Sequence, residues 1–242
     1  IGLQLKSALI PIVPGAVIYD MDLTDPMIHP RAEWGHQAAA AATNGPFERG
    51  NVGAGRGGTA GKGPGGVRTK GGLGTASLIL PGGIVVGALV VINALGGMVH
   101  PETGELYATG GRFDIPLLYQ PSDANPVHTS PLANTTLGVI ATNAALESPA
   151  LVKIADLAHD GLARAIRPMH AMRDGDTVFA LSTHADPKTL PGTTGPNLTD
   201  MIGAAAADAM VRAVLDAAAQ TTGVGDWPSV ADAQAAIRTR KT

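Results

Sequence analysis

Apolar and polar positions change rhythm several times along the 242-residue chain. Residues 75–80 and 84–93 are two apolar, β-branched runs separated by Pro81, Gly82 and Gly83, and they predict a β-hairpin. Residues 135–142 form another such run and predict a buried strand, as do residues 176–182. Between them Leu151, Ile154, Leu157, Leu162 and Ile166 recur at near-helical spacing. Ser148 is placed to cap that helix with Pro149 at its first position, and Pro168 ends it. A helix of small residues is expected from Thr199 or Asp200 through Ala219, and a short helix with a frayed tail after Pro228.

The first half is less regular. Residues 8–20 read as a strand interrupted by Pro11 and Pro14, and residues 31–42 as a helix closed by Asn44, Gly45 and Pro46. Residues 50–74 read as a glycine-dense loop, and residues 101–134 as a turn-rich segment exposed around 121–126. Strands and helices mix without a regular βαβ alternation or an internal repeat. That pattern predicts layered α/β with a mixed or largely antiparallel sheet. In residues 82–99 only Asn93 is strongly polar, and the run is near the length of a membrane span. Its Val, Ile and Gly content and the preceding turn instead favour a central strand buried on both faces.

Composition narrows the function. Hydrophobic residues make up 45% of the chain, enough for a packed core. A net charge of −3 without a long basic run argues against nucleic acid as a partner. The absence of cysteine removes disulfides, a thiol nucleophile and thiolate metal sites. The seven histidines are scattered without H-E-x-x-H spacing, so no metal is expected, and His159 and His170 read as helix-surface or cap residues. The opening from Ile1 has no signal-peptide pattern and reads like the middle of a longer protein.

Gly53, Gly55 and Gly58 match G-x-G-x-x-G, but Glu48-Arg-Gly-Asn51 precedes them where a dinucleotide site needs a strand. The loop reads instead as backbone built for close approach, with Lys62 in it able to lose its proton and serve catalysis. Two further places carry chemistry. At Asn134-Thr135-Thr136 a hydroxyl stands where a turn-rich segment meets a strand. It could attack the preceding carbonyl, free a new N-terminus, and then use the α-amine as its base. The same residues could simply begin a strand, where β-branched side chains belong. Asp174-Gly175-Asp176 could turn two carboxylates into a pocket or form an ordinary D-G turn.

Six ordered blocks then carry a resemblance. They are Val13-Pro-Gly-Ala-Val-Ile-Tyr-Asp20, Gly50-Asn-Val-Gly-Ala-Gly55, Gly71-Gly-Leu-Gly-Thr-Ala-Ser77, Asn134-Thr-Thr-Leu-Gly-Val-Ile-Ala-Thr142, Ala158-His-Asp-Gly-Leu-Ala-Arg-Ala-Ile-Arg-Pro168 and Asp174-Gly-Asp-Thr-Val-Phe-Ala180. Together they resemble the L-aminopeptidase/D-esterase family of self-cleaving N-terminal-nucleophile hydrolases, which includes β-aminopeptidases and nylon-oligomer hydrolases.

The resemblance implies an αββα sandwich in one domain, self-cleaved into residues 1–134 and 135–242. It implies amide hydrolysis of peptides or amide oligomers without metal or cofactor. It makes Asn134–Thr135 the cleaved bond, Thr135 the nucleophile and Asn93 the oxyanion donor. Lys62 and Tyr19 resemble pocket residues of the nylon-hydrolase branch, and Asp174 and Asp176 its acidic pair; the aminopeptidase branch often has Ser and Glu there. The cleaved fragment stays as partner in a homo-oligomer, a tetramer, with a cytoplasmic location and no membrane contact. Family members carry further residues before the equivalent of Ile1, so the N-terminal part of the family fold is expected to be absent. Two rival classes stand beside the hydrolase: an acyltransferase related to ornithine acetyltransferase, whose cleavage block reads Ala-Thr-Met-Leu, and a non-catalytic relative that stays uncleaved.

Overall fold

The computed structural model describes residues 2–23, 25, 27–63, 66–112, 134–183 and 194–240. Near its start only β1 (Leu3–Gln4) and β2 (Leu9–Ile10) pair. The strand expected over residues 8–20 is thus cut to two residues, because Pro11 and Pro14 lack the N–H a ladder needs. Helix α1 (Ala32–Ala41) forms where expected and buries none of its residues. The glycine-dense stretch is not all loop. It contains β3 (Thr59–Ala60) and β4 (Thr69–Lys70), a buried antiparallel pair. The segment expected to be exposed around 121–126 lies outside the described residues.

Strands β5 (Gly72–Leu80) and β6 (Ile84–Asn93) make the expected hairpin, with β5 starting at Gly72 rather than at 75. The turn between them holds Gly82 at φ 76°, a conformation that glycine adopts without strain. Strand β7 (Gly97–Met98) follows, then β8 (Thr135–Thr142). Helix α2 (Ser148–Ala165) starts one residue earlier than the sequence pattern predicts: Glu147 occupies the cap position, and Ser148 is already helical. Ile166 leaves the helix to form β9 (Ile166–Arg167), which pairs with β7. Strand β10 (Thr177–Ser182) begins after Asp176, not at it. Helix α3 (Pro196–Gln220) begins before Thr199, since proline suits a first helical turn, and α4 (Val230–Arg240) ends the description.

Four strands share one sheet in the order β10-β8-β6-β5. The β5–β6 and β6–β8 pairs are antiparallel and the β8–β10 pair is parallel, with α2 in the crossover. This is the layered α/β class with a mixed sheet. On β6 the residues Ile84, Val86, Ala88, Val90 and Ile92 alternate toward the helices and are fully buried. Helix α3 covers β5 and β6, while α2 covers β10 and packs along α3. Residues 82–99 therefore supply a sheet strand, and among the described residues no helix is long and apolar enough to cross a membrane.

Small residues let α2 and α3 approach closely. A Cβ at Gly161 of α2 would stand 2.2 Å from the Ala207 carbonyl oxygen of α3. Gly161→Ala gains about 0.5–1 kcal/mol of helix propensity. It must also push two helices apart, an overpacking loss of about 1–3 kcal/mol. The variant should unfold at lower urea than the parent; an equal or higher midpoint would show that the helices do not meet at this position.

Candidate active site

The site is placed by strand register. In the β6–β8 ladder Thr135 lies opposite Asn93, and Thr136 lies opposite Ile92. Directly opposed residues share a face, and successive residues alternate. Ile92 belongs to the helix-side core, so Thr136 points there, 0% exposed, with no hydrogen-bond partner for its hydroxyl among the described residues. Thr135 and Asn93 occupy the other face, 5% and 1% exposed.

The Thr135 Oγ1 donates to the carbonyl oxygen of Asn134 at 2.5 Å. The same oxygen accepts the Gly175 N–H at 2.8 Å. Asn93 is held on both sides of its amide. Its Oδ1 accepts Lys62 Nζ at 2.8 Å and the Thr59 N–H and hydroxyl at 3.3 and 3.1 Å. Its Nδ2 donates to the Tyr19 carbonyl oxygen at 2.8 Å. Lys62 Nζ also reaches the Asn93 main-chain oxygen at 3.2 Å. The glycine-dense stretch thus brings its lysine to the asparagine, and Tyr19 joins through its main chain.

Both carboxylates of the 174–176 segment turn inward. Asp174 takes the N–H groups of Leu95 and Ala171, each at 3.1 Å. Asp176 takes the Thr136 N–H at 2.7 Å, and with its second oxygen the His170 N–H at 3.2 Å and His170 Nδ1 at 2.9 Å. Neither is a mere turn residue. Each ties the loop to a different strand end, Asp174 to the end of β6 and Asp176 to the start of β8. Burial raises the Asp174 carboxyl above its ordinary value, with Asp176 acting the same way and the two N–H donors and Lys62 opposing it.

The sequence reading missed two members. His170 stays at the surface, its side chain 41% exposed, but at φ 58° it turns its N–H and ring to the side chain of Asp176, itself only 2% exposed. Its ring meets His159 edge-on at 4.7 Å, and burial lowers the pKa of His159. No spacing rule links His170 to Asp176, because a left-handed non-glycine residue sets the contact. The other is the Gly175 N–H, invisible to side-chain patterns. Among the described residues no three His, Cys, Asp or Glu side chains are grouped to hold a metal ion.

Residues 3–227 match Peptidase family S58. The chain is 42% identical over 246 residues to an uncharacterized aminopeptidase of Mycobacterium tuberculosis (strain ATCC 25618 / H37Rv), covering 96% of this chain and 70% of that one. It is 32% identical over 217 residues to a 6-aminohexanoate-oligomer endohydrolase of Kocuria sp. (strain KY2), covering 86% and 61%. Among solved structures a Burkholderia sp. β-aminopeptidase aligns with TM-score 0.60 at 27% identity, covering 88% of this chain but 59% of its own. The L-aminopeptidase D-Ala-esterase/amidase of Ochrobactrum anthropi, a variant of the Ntn hydrolase fold, aligns with TM-score 0.57 at 23% identity, covering 85% and 56%. The latter likeness is one of fold.

The buried Asp174 has a consequence for pH. In the unfolded chain its carboxyl ionises at its ordinary value of 3.8, whereas the folded protein keeps the proton to higher pH. Between the two values the folded state binds more protons, so this group's contribution to stability falls as pH rises. Asp174→Asn removes the titration. The urea midpoint of the variant should lose that part of the decline above the ordinary carboxylate range. A pH dependence identical to the parent's would contradict a titrating, buried Asp174.

Proposed function

Because the chain belongs to Peptidase family S58, we propose that it is an amide hydrolase that generates its own nucleophile by cutting the Asn134–Thr135 bond. The observation that carries this reading is the Thr135 hydroxyl, buried and 2.5 Å from the carbonyl oxygen of the residue before it. In the proposed chemistry that hydroxyl attacks the Asn134 carbonyl, the acyl group shifts from nitrogen to oxygen, and water releases fragments 1–134 and 135–242. The freed α-amine, with an ordinary pKa near 8, then serves as base to its own hydroxyl.

The same hydroxyl attacks the substrate amide in turnover. Asn93 is the proposed oxyanion donor, and its orientation is set by Lys62, Thr59 and the Tyr19 carbonyl. Asp174 and Asp176 are proposed as positioning residues. They fix the ends of β6 and β8 on either side of Thr135. The substrate class is peptides or linear amide oligomers, the first supported by relatives that are named aminopeptidases and the second by those named 6-aminohexanoate-oligomer endohydrolases. The chain spans 59% of the Burkholderia enzyme's length, and the homo-oligomer expected from the resemblance is part of the same proposal.

Thr135→Ala should remain one uncut chain and hydrolyse no amide substrate, whereas Thr135→Ser should retain part of both activities. Thr136→Ala should still be cut, since its hydroxyl faces the core. Asn93→Ala should lower turnover by about 10²–10³, the usual effect of removing one oxyanion donor. Gels and amide-hydrolysis assays read all four. A Thr135→Ala protein as active as the parent would overturn the assignment.

A further inference from the structure

We infer that the main-chain N–H of Gly175 is the oxyanion donor of the self-cleavage step, acting on the carbonyl of the bond that is cut. The inference rests on the Thr135 reading above and adds a group to it. The Gly175 N–H donates to the Asn134 oxygen at 2.8 Å while the Thr135 hydroxyl stands at 2.5 Å from that oxygen. Nucleophile and donor therefore converge on one peptide group.

The electron movements assign the donor its task. Thr135 Oγ bonds to the Asn134 carbonyl carbon, and the C=O pair moves onto the oxygen. The charge appears where the Gly175 N–H already points, so no donor has to be reoriented at that moment. The oxyanion's pair then re-forms the C=O bond as the C–N pair leaves with nitrogen, and the proton lost by Oγ ends on the Thr135 nitrogen, which leaves as an amine. Water opens the resulting ester, returns a proton to Oγ and leaves Asn134 as a carboxylic acid.

The donor is held from both sides. Asp174 is bound by the Leu95 and Ala171 N–H groups, and Asp176 by those of Thr136 and His170. The peptide between them has little freedom to swing away. The position is also tight for a side chain. A Cβ at residue 175 would stand 3.0 Å from Thr135 Oγ1, crowding the hydroxyl that must move onto the carbonyl carbon. The hydrogen bond belongs to a parallel bridge between Asn134 and Asp174. A ladder bond of purely structural value would not govern the rate of cleavage in a folded chain, and this difference is testable.

The test replaces Gly175 by glycolic acid during cell-free translation of the full chain, turning its N–H into an ester oxygen and leaving its shape. Folding is checked by far-UV circular dichroism, and cleavage is timed on gels. The ester chain should be cut about 10²–10³ slower than the parent. Gly175→Ala keeps the N–H and adds only the crowding methyl, so it should be cut faster than the ester chain. An ester chain cut at the parent's rate, or faster than Gly175→Ala, overturns the proposal and leaves crowding as the role of the glycine. A parent chain that is never cut overturns the Thr135 reading and this proposal with it.

Discussion

The antiparallel register between β6 and β8 is the constraint on which the site depends. It sets Thr135 opposite Asn93 and Thr136 opposite Ile92. A slip of one residue would exchange the faces of both threonines, burying the Thr135 hydroxyl among the helices. The register is in turn held by the apolar alternation of β6, whose helix-facing side chains are fully buried. Packing that serves stability and placement that serves chemistry are thus one arrangement.

At the Asn93–Thr135 end, the opposite face of the sheet carries a set of polar contacts. Asn93 is shared by Lys62, Thr59 and the Tyr19 carbonyl. The two aspartates draw backbone N–H groups from four separate positions. A buried carboxylate is costly unless such donors surround it. The arrangement therefore favours one position for the 174–176 segment, and with it one orientation for the glycine between the carboxylates. Close helix contact at Gly161 plays the corresponding part on the apolar side.

Much of this was legible in the sequence, and the parts that were not have physical reasons. Apolar patterning located the hairpin, β8 and α2, because burial imposes it, and a run of small residues after a start signal located α3. The threonine pair and the D-G-D motif were visible as candidates; the strand start is observed at Thr135, and the proposal of a reactive hydroxyl there leans on the resemblance carried by six blocks. Helix and strand starts at Ser148, Thr177 and Pro196 were misplaced by one to four residues, since caps depend on local angles that residue types only bias. The strand over 8–20 failed at its prolines. His170 and the Gly175 N–H escaped entirely. One contact depends on a left-handed residue and the other on main chain, and neither leaves a side-chain pattern.

The central claim is that Thr135 becomes the N-terminus of the working enzyme. N-terminal sequencing of the smaller fragment from protein that is hydrolysing amides tests it most directly. The account predicts a first cycle of threonine and a run reading Thr-Thr-Leu-Gly. A fragment beginning Thr-Leu-Gly-Val, or full activity in a chain that shows no second N-terminus, would contradict it.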